Sequence, residues 1–207
     1  MRRSRETVVV IGEGITEKYY IQSLRDVLVI KPTAIKPKNS SLEELEHSIE
    51  GAIKEGYSRI YCLIDKDNKV LDGNPDHERN AKVYSNLRNK YHNKRIKNRD
   101  GDESYVCMIE SFPATEIFFH YYFGFRGAYF SNSQLKNILN ERVGYKTEEK
   151  YLIKNSLNEV LTRAGGSLEC AVEASVLSIR NNPDKNTNSS FTEIGFMIKA
   201  LLSGVFE

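Results

Sequence analysis

Tryptophan, a cysteine framework and long hydrophobic runs are all missing from this chain of 207 residues. The three cysteines, Cys62, Cys107 and Cys170, are odd in number and far apart, which argues against disulfides and against a zinc site. No apolar run approaches the roughly 20 residues that a bilayer needs, and residues 8–11 are too few for a signal-peptide core. The sequence therefore predicts a cytoplasmic protein that does not enter a membrane.

Several catalytic and nucleotide-binding motifs are missing as well. The chain has no Gly-Lys-Ser/Thr phosphate loop, its four histidines show no metal-binding spacing, and no serine lies in a nucleophile elbow. Residues 12–17, GEGITE, begin like a dinucleotide fingerprint, but Glu17 stands where the third glycine would pack helix against strand. The chemistry that remains available is that of carboxylates.

Acidic residues are missing from one segment, residues 79–99, although the whole chain carries a net charge of only +2. The rest of the chain contains 22 basic and 28 acidic residues. A local positive stripe on an acidic body is typical of proteins that contact phosphate backbones, and a solvated helix face is the alternative. The predicted nucleic-acid-binding residues are Arg79, Lys82, Arg88, Lys90, Lys94, Arg95, Lys97 and Arg99.

Strand and helix patterns alternate over residues 1–125. Strands are predicted at 7–11, 59–64 and 104–109, an extended edge segment at 27–36, and helices from residue 16 and over 42–54, 77–97 and 114–122. Beyond residue 130 only helices are predicted, over 133–140, 150–163, 168–179 and 192–202. The prediction is an α/β fold with a mostly parallel central sheet and helices on both faces. Residues 126–207 would form a helical region packed on or beside this core.

Acidic side chains follow the predicted strands. Glu13 follows the first strand, with Glu17 one helical turn later; Asp65 and Asp67 follow the second strand, and Glu110 follows the third. Carboxyl ends of parallel strands meet at one edge of a sheet, and clustered carboxylates repel one another unless a cation lies among them. Mg²⁺ prefers such oxygen ligands. The alternatives are ordinary turn chemistry for the Asp-x-Asp segment and a first-turn helix acid for Glu17.

Two of these segments carry a family resemblance. GEGITEKYY at 12–20 after a hydrophobic strand, and LIDKD at 63–67, resemble the Toprim fold as it occurs in the RloB-like (AbiLii-type) family of phage-defence proteins. SFPATEIFFHYYF at 111–123 and the segments NP at 182–183 and SFTEIG at 190–195 are similar to further motifs of that family. The resemblance spans residues 8–202 and departs in Phe118, where the family has tryptophan.

The resemblance implies a Toprim metal centre. Glu13, Asp65 and Asp67 would be its catalytic residues and would bind Mg²⁺, with Mn²⁺ as the alternative metal. Glu17, one helical turn after Glu13, is a fourth predicted catalytic residue, from its position in the acidic constellation. The residues that would support this centre are Lys66, Glu110, Glu116 and His120. Glu116 and His120 share a helix face, so a hydrogen bond between them could orient the imidazole ring. The alternative is a polar pair that anchors an aromatic helix.

These observations support a hypothesis of a Mg²⁺-dependent nuclease that cuts DNA or RNA, tRNA included, in antiphage defence or abortive infection. The resemblance also implies a separately encoded ATPase as a partner, and the chain could form a homo-oligomer. A non-catalytic module that docks an ATPase or nucleic acid is the alternative, and nucleotidyl transfer is a third reading. A Mg²⁺-dependent rise in melting temperature that the Asp65 variant lacks would separate the nuclease from the binding module. Incorporation of nucleoside triphosphates would reveal nucleotidyl transfer.

Overall fold

The computed structural model describes residues 6–125 and 130–206, and a six-stranded sheet lies at the centre of this described part. The strands are β1 (Val8–Gly12), β2 (Thr33–Ile35), β3 (Arg59–Asp65), β4 (Lys94–Lys97), β5 (Glu103–Phe112) and β6 (Phe191–Thr192). Their order is β2-β1-β3-β5-β4, and β6 pairs with β5. The first three neighbouring pairs are parallel, whereas β4 and β6 are antiparallel to β5. This confirms the predicted α/β fold with its mostly parallel sheet.

Helices cover both faces of the sheet. They are α1 (Ile15–Ser23), α2 (Leu42–Lys54), α3 (Pro75–Tyr91), α4 (Glu116–Tyr121), α5 (Asn132–Val143), α6 (Glu149–Lys154), α7 (Leu157–Arg163), α8 (Leu168–Asn181) and α9 (Ile194–Ser203). One hydrophobic cluster joins α2 and α3 to the sheet, and a second joins α1, α4 and the C-terminal helices to its other face. No described helix has the length and apolar character needed to cross a bilayer.

The C-terminal helices share the core of the N-terminal part. Tyr20 and Phe119 lie in the same buried cluster as Leu139, Leu161 and Ile198. The predicted boundary between residues 125 and 126 borders residues 126–129, which lie outside the described residues. Because both parts fill one cluster, removal of the C-terminal helices would expose the aromatic core of α4.

The predicted helix over residues 77–97 is wrong in its C-terminal part. Helix α3 ends at Tyr91, Asn93 adopts a left-handed backbone with φ of 57°, and residues 94–97 form the antiparallel edge strand β4. The sequence pattern of this basic segment would allow the helix to continue. Residues 94–97 instead pair with β5, and this pairing satisfies their backbone hydrogen-bonding groups at the sheet edge. The predicted basic stripe is therefore divided between a helix and an edge strand.

Other predicted elements also differ from the structure. The extended edge segment predicted over 27–36 is a strand only at Thr33–Ile35, although it does lie at the sheet edge. The helix predicted over 150–163 is two helices, α6 and α7, that meet at Asn155 and Ser156. The strand predicted to end at residue 109 continues to Phe112. The C-terminal part, predicted as helices only, also contains β6, where the Thr192 and Ser111 hydroxyl oxygens lie 2.7 Å apart. This short pairing extends the sheet beside the candidate site.

Gly12 leaves room for Glu17, which packs directly against the turn after β1. A methyl group on Gly12 would lie 2.4 Å from the β-carbon of Glu17. We expect Gly12→Ala to lower the free energy of unfolding by roughly 1–3 kcal/mol, the usual cost of overpacking. Gly51→Ala is the matched control, because nothing lies within 4 Å of its added methyl group inside α2. Urea denaturation would contradict the prediction if both variants behaved alike.

Candidate functional site

Carboxylates gather where β1 and β3 end and where α1 and α4 begin. Glu13 follows β1, Glu17 lies in the first turn of α1, Asp65 ends β3, and Glu116 begins α4. Burial raises the pKa values of Asp65 and Glu13, and neighbouring charges add to it: those of Glu17, Glu116 and Glu13 act on Asp65, and that of Asp67 acts on Glu13. The structure therefore brings together the four predicted catalytic acids, and Glu116 lies among them. These five residues, Glu13, Glu17, Asp65, Asp67 and Glu116, form the acidic centre.

The two aspartates of the Asp-x-Asp segment are held by the chain that follows β5. Asp65 Oδ1 accepts hydrogen bonds from the backbone N–H of Thr115 at 2.8 Å and from its hydroxyl at 3.0 Å. Asp67 Oδ2 accepts one from the Asn132 side-chain amide at 3.0 Å, and the Asp67 N–H donates to the Pro113 carbonyl at 3.0 Å. These bonds fix both carboxylates before any ligand arrives.

Glu17 and Glu116 are fixed by local hydrogen bonds. Glu17 Oε2 accepts from the Gly14 N–H at 2.9 Å, an arrangement that also caps α1. Glu116 Oε1 accepts from the Tyr145 hydroxyl at 2.9 Å, and that hydroxyl oxygen lies 3.3 Å from Thr16 Oγ1. Tyr145 lies between α5 and α6, so no local sequence pattern could assign it to this site.

A lysine that the sequence analysis missed lies inside the acidic centre. The Lys69 ammonium donates to Glu13 Oε2 at 2.9 Å, to the Asp65 carbonyl oxygen at 2.7 Å and to Asn68 Oδ1 at 3.1 Å. Only 3% of the Lys69 side chain is exposed. The available signal was a lysine two residues after Asp67, which on sequence alone is an ordinary surface residue.

Burial and mutual repulsion raise the pKa values of three of these acids. Burial, with repulsion from Glu116, raises the pKa of Glu17 from 4.5 to about 7. Burial, with repulsion from Glu17 and Glu116, holds the pKa of Asp65 well above 3.8. The pKa of Glu13 is raised by burial in spite of the attraction of Lys69. A cation added to this cluster would relieve the repulsion.

The donor atoms of this cluster fit a hard divalent cation. They are all oxygens, and two of them, Glu13 Oε1 and Asn132 Oδ1, are buried without a hydrogen-bond partner in the described structure. Such orphaned acceptors are costly to bury, and Mg²⁺ or Mn²⁺ would satisfy them. Among the described residues, no three His, Cys, Asp or Glu side chains are already arranged to hold a metal. The oxygen donors are thus present, while Lys69 supplies the positive charge at Glu13.

Glu110 and Lys66, two of the four predicted supporting residues, lie on the other face of the sheet. Asp65 pairs with Ser111 in register, so Glu110 points to the opposite face from Asp65. Its carboxylate accepts from the Tyr84 hydroxyl at 2.7 Å and from Lys185 at 3.0 Å, and Lys66 Nζ lies 3.8 Å from it. These two residues therefore belong to a cluster apart from the acidic centre.

In the described structure His120 is oriented by a residue other than Glu116. Its Nε2 lies 3.0 Å from the Leu135 carbonyl oxygen, and its ring stacks on Phe130 with centroids 6.1 Å apart. Burial lowers the pKa of His120, which keeps the ring neutral at physiological pH. The geometry matches the alternative reading, in which this polar side chain anchors an aromatic helix.

The eight predicted nucleic-acid-binding residues fall into two groups. Arg88 pairs with Glu110, Lys90 with Glu46 and Glu50, and Arg95 with Glu103. In the described part of the chain the remaining five are exposed and have no ion pair: Arg79, Lys82, Lys94, Lys97 and Arg99. Only this second group offers free charge to a phosphate backbone.

The metal-free protein is expected to lose stability as the pH rises from about 4.5 to about 7, because of Glu17. An acid whose pKa is higher in the folded chain binds more protons when folded, so raising the pH favours unfolding. The loss from Glu17 is on the order of 1–3 kcal/mol, since one pKa unit corresponds to about 1.4 kcal/mol. Urea denaturation in EDTA at several pH values measures it.

Glu17→Gln should reduce this pH dependence, because the amide oxygen still accepts from the Gly14 N–H while the charge is gone. Glu43→Gln is the matched control, since Glu43 is an exposed first-turn glutamate of α2. An unchanged slope in Glu17→Gln would show that another group titrates in this range.

Comparison with known proteins identifies the family but not an activity. A family model described as RloB-like protein matches residues 8–201. Searches of curated proteins and of solved structures each found no significant match. Because the match covers nearly the whole chain, the protein belongs to the RloB-like family.

Proposed function

We propose that the chain is a Mg²⁺-dependent nuclease of the Toprim type that acts in antiphage defence. The observation that carries the proposal is the acidic centre, in which buried carboxylates with raised pKa values lie beside the orphaned oxygens of Glu13 and Asn132. Such a cluster is costly to fold and is relieved by a cation. Its position beyond the carboxyl ends of parallel strands is where α/β sheets bind ligands.

Glu13, Asp65 and Asp67 would hold the metal, and a metal bound there would supply the positive charge that phosphodiester hydrolysis needs at the phosphate. Thr115 orients Asp65, and Asn132 orients Asp67. With a pKa of about 7, Glu17 can take up or release a proton at physiological pH, as a general acid or base requires.

The substrate in this proposal is DNA or RNA, tRNA included. Lys82 on α3, together with Lys94 and Lys97 on β4, would contact the phosphate backbone, since these exposed cations are free of ion pairs in the described structure. Contacts to phosphates alone predict weak sequence preference. A separately encoded ATPase remains part of the proposal on the strength of the family resemblance. Self-association also remains part of the proposal, without support from that resemblance.

Cleavage assays test the proposal directly. Plasmid DNA and total tRNA are incubated separately with the protein in Mg²⁺, Mn²⁺ or EDTA, beside the Glu13→Ala and Asp65→Ala variants. Metal-dependent cleavage that both variants lose is the expected result. Cleavage at the wild-type rate by either variant would contradict the assignment.

A non-catalytic binding module is the second candidate, and one observation favours it. Lys69 already neutralises Glu13, and no metal-ready group of three ligands is present among the described residues. The melting temperature separates the candidates: a nuclease of this type is stabilised by Mg²⁺, and Asp65→Ala loses that stabilisation. A docking module shows no shift in either protein.

A further inference from the structure

The Lys69 ammonium occupies a position that is costly to reach without compensation. A lysine side chain that is 97% buried must recover the hydration it loses, and here it does so through three oxygen partners. One partner is the carboxylate of Glu13, whose second oxygen has no hydrogen-bond partner. Lys69 is therefore the cation that compensates Glu13, whereas Lys136, 41% exposed, lies 3.7 Å from Glu116 at the other side of the centre.

The same side chain borders a polar cavity of about 440 Å³. Its other polar lining residues are Asn39, Ser40, Ser41, Asn68 and Asn80. Their amide and hydroxyl oxygens can accept hydrogen bonds from an ammonium. If Lys69 left Glu13, its flexible stem could turn toward this cavity without losing all its partners.

We propose that Lys69 is the resident cation of the acidic centre and that a divalent metal must displace it from Glu13 to bind. The inference rests on the proposed function, because it concerns the metal of that site. In the metal-free protein the Lys69 ammonium occupies the oxygen-lined position beside Glu13 and bonds to its carboxylate at 2.9 Å. On metal binding the ammonium moves to the adjoining polar cavity. Competition by Lys69 therefore lowers the affinity of the site for the metal.

The direction of the effect follows from charge. A metal that enters the wild-type site must break the Lys69–Glu13 ion pair and meets the repulsion of the ammonium. Both costs disappear when the ammonium is replaced by a neutral group. Lys69→Met and Lys69→Gln should therefore bind Mg²⁺ more tightly, by about tenfold for a competing interaction of about 1.4 kcal/mol. Lys69→Gln retains an N–H donor for Glu13 and keeps the test valid if Lys69→Met folds poorly.

Isothermal titration calorimetry with Mg²⁺ at pH 8 tests the inference without any cleavage assay. Lys66→Met is the matched control, because Lys66 lies in the same loop and loses the same charge but contacts Glu110 on the other face. The expected result is a lower Kd in both Lys69 variants and an unchanged Kd in Lys66→Met. The Mg²⁺-induced rise in melting temperature should increase in the same two variants.

Three results would overturn the inference, and they differ in their consequences. An equal or higher Kd in the Lys69 variants would show that the ammonium does not compete with the metal, while wild-type binding would leave the proposed function standing. An equal gain in Lys66→Met would reveal a long-range charge effect only. The absence of Mg²⁺ binding in every protein would overturn the inference and the proposed metal-dependent function together.

Discussion

Asp65→Asn is expected to slow metal-dependent cleavage strongly and, at the same time, to raise the melting temperature of the metal-free protein. Burial and the charges of Glu17 and Glu116 hold the pKa of Asp65 well above 3.8. Folding at neutral pH must therefore either protonate this carboxyl or bury its charge among other acids. An asparagine removes that cost, and its Oδ1 still accepts from both donors of Thr115.

The metal-free variant should be more stable than wild type at neutral pH, because the raised pKa of Asp65 means that its ionisation opposes folding. For a chain of this size, each kcal/mol raises the melting temperature by about 2–4 °C. Cleavage should fall by about a thousandfold, because the amide is a poorer metal ligand and carries no charge. Opposite effects on stability and activity are typical of a functional site that folding does not require.

Asp26→Asn provides the matched control, because Asp26 is exposed and lies outside the acidic centre. It should leave the melting temperature and cleavage unchanged. Thermal melts in EDTA and in Mg²⁺ give the stabilities, and single-turnover assays give the rates. Wild-type cleavage by the double variant Asp65→Asn, Asp67→Asn would refute a metal centre at this position. A lower melting temperature of metal-free Asp65→Asn would show instead that its charge stabilises the fold.

Buried strands and well-capped helices could be predicted from the sequence. β1 and β3 are continuous hydrophobic runs because both faces of the central sheet are covered. The bounds of α2 match the prediction because Ser41 accepts from the Glu44 N–H at its start and Gly56, with φ of 76°, follows its end. In each case the local chemistry determines the local structure.

The edge strands could not be predicted in this way. β4 reads KRIK, and three of its four residues are exposed, so hydrophobic periodicity carries little signal. β6 has only two residues, and its pairing with Ser111 and Phe112 depends on how the C-terminal part folds back. Both strands are stabilised by long-range backbone pairing, which no short window of sequence contains.

The candidate site was partly predictable for a related reason. Glu13, Asp65 and Asp67 follow predicted strands, so the rule that carboxyl ends meet at one sheet edge places them together. Lys69 and Tyr145 reach the same centre from a loop and from the segment between α5 and α6, which only the tertiary structure shows. The positions of strand ends can be predicted from the sequence. The side chains that loops place beside those strand ends cannot.

Glu110→Gln is expected to lower the free energy of unfolding by roughly 3–5 kcal/mol, the usual cost of removing one partner of a buried ion pair. Only 4% of the Glu110 side chain is exposed. Tyr84 and Lys185 bond to it at 2.7 and 3.0 Å, and Arg88 and Lys66 lie 3.5 and 3.8 Å away. Without this charge, Lys66 and Arg88 lose an acidic partner, and in the described structure Lys185 keeps only Glu193, at 2.8 Å.

The pH dependence of this cluster is opposite to that of the acidic centre. Burial alone would raise the pKa of Glu110, but the attraction of Lys66 and Lys185 outweighs it and lowers the pKa below 4.5. Its stabilisation is therefore present above pH 4.5 and is lost as the pH falls through the lowered pKa. The difference in free energy of unfolding between wild type and Glu110→Gln should therefore be smaller in acid than at pH 7.

Glu103→Gln is the matched control for Glu110→Gln. Glu103 lies on the same strand and pairs with Arg95 at 2.9 Å, but that pair is exposed, so its loss should cost less than about 1 kcal/mol. Urea denaturation at pH 7 compares the two variants. Equal costs would contradict a buried charge cluster. The Mg²⁺-induced rise in melting temperature should survive in Glu110→Gln, because alternation along β5 places this carboxylate on the opposite face from Asp65.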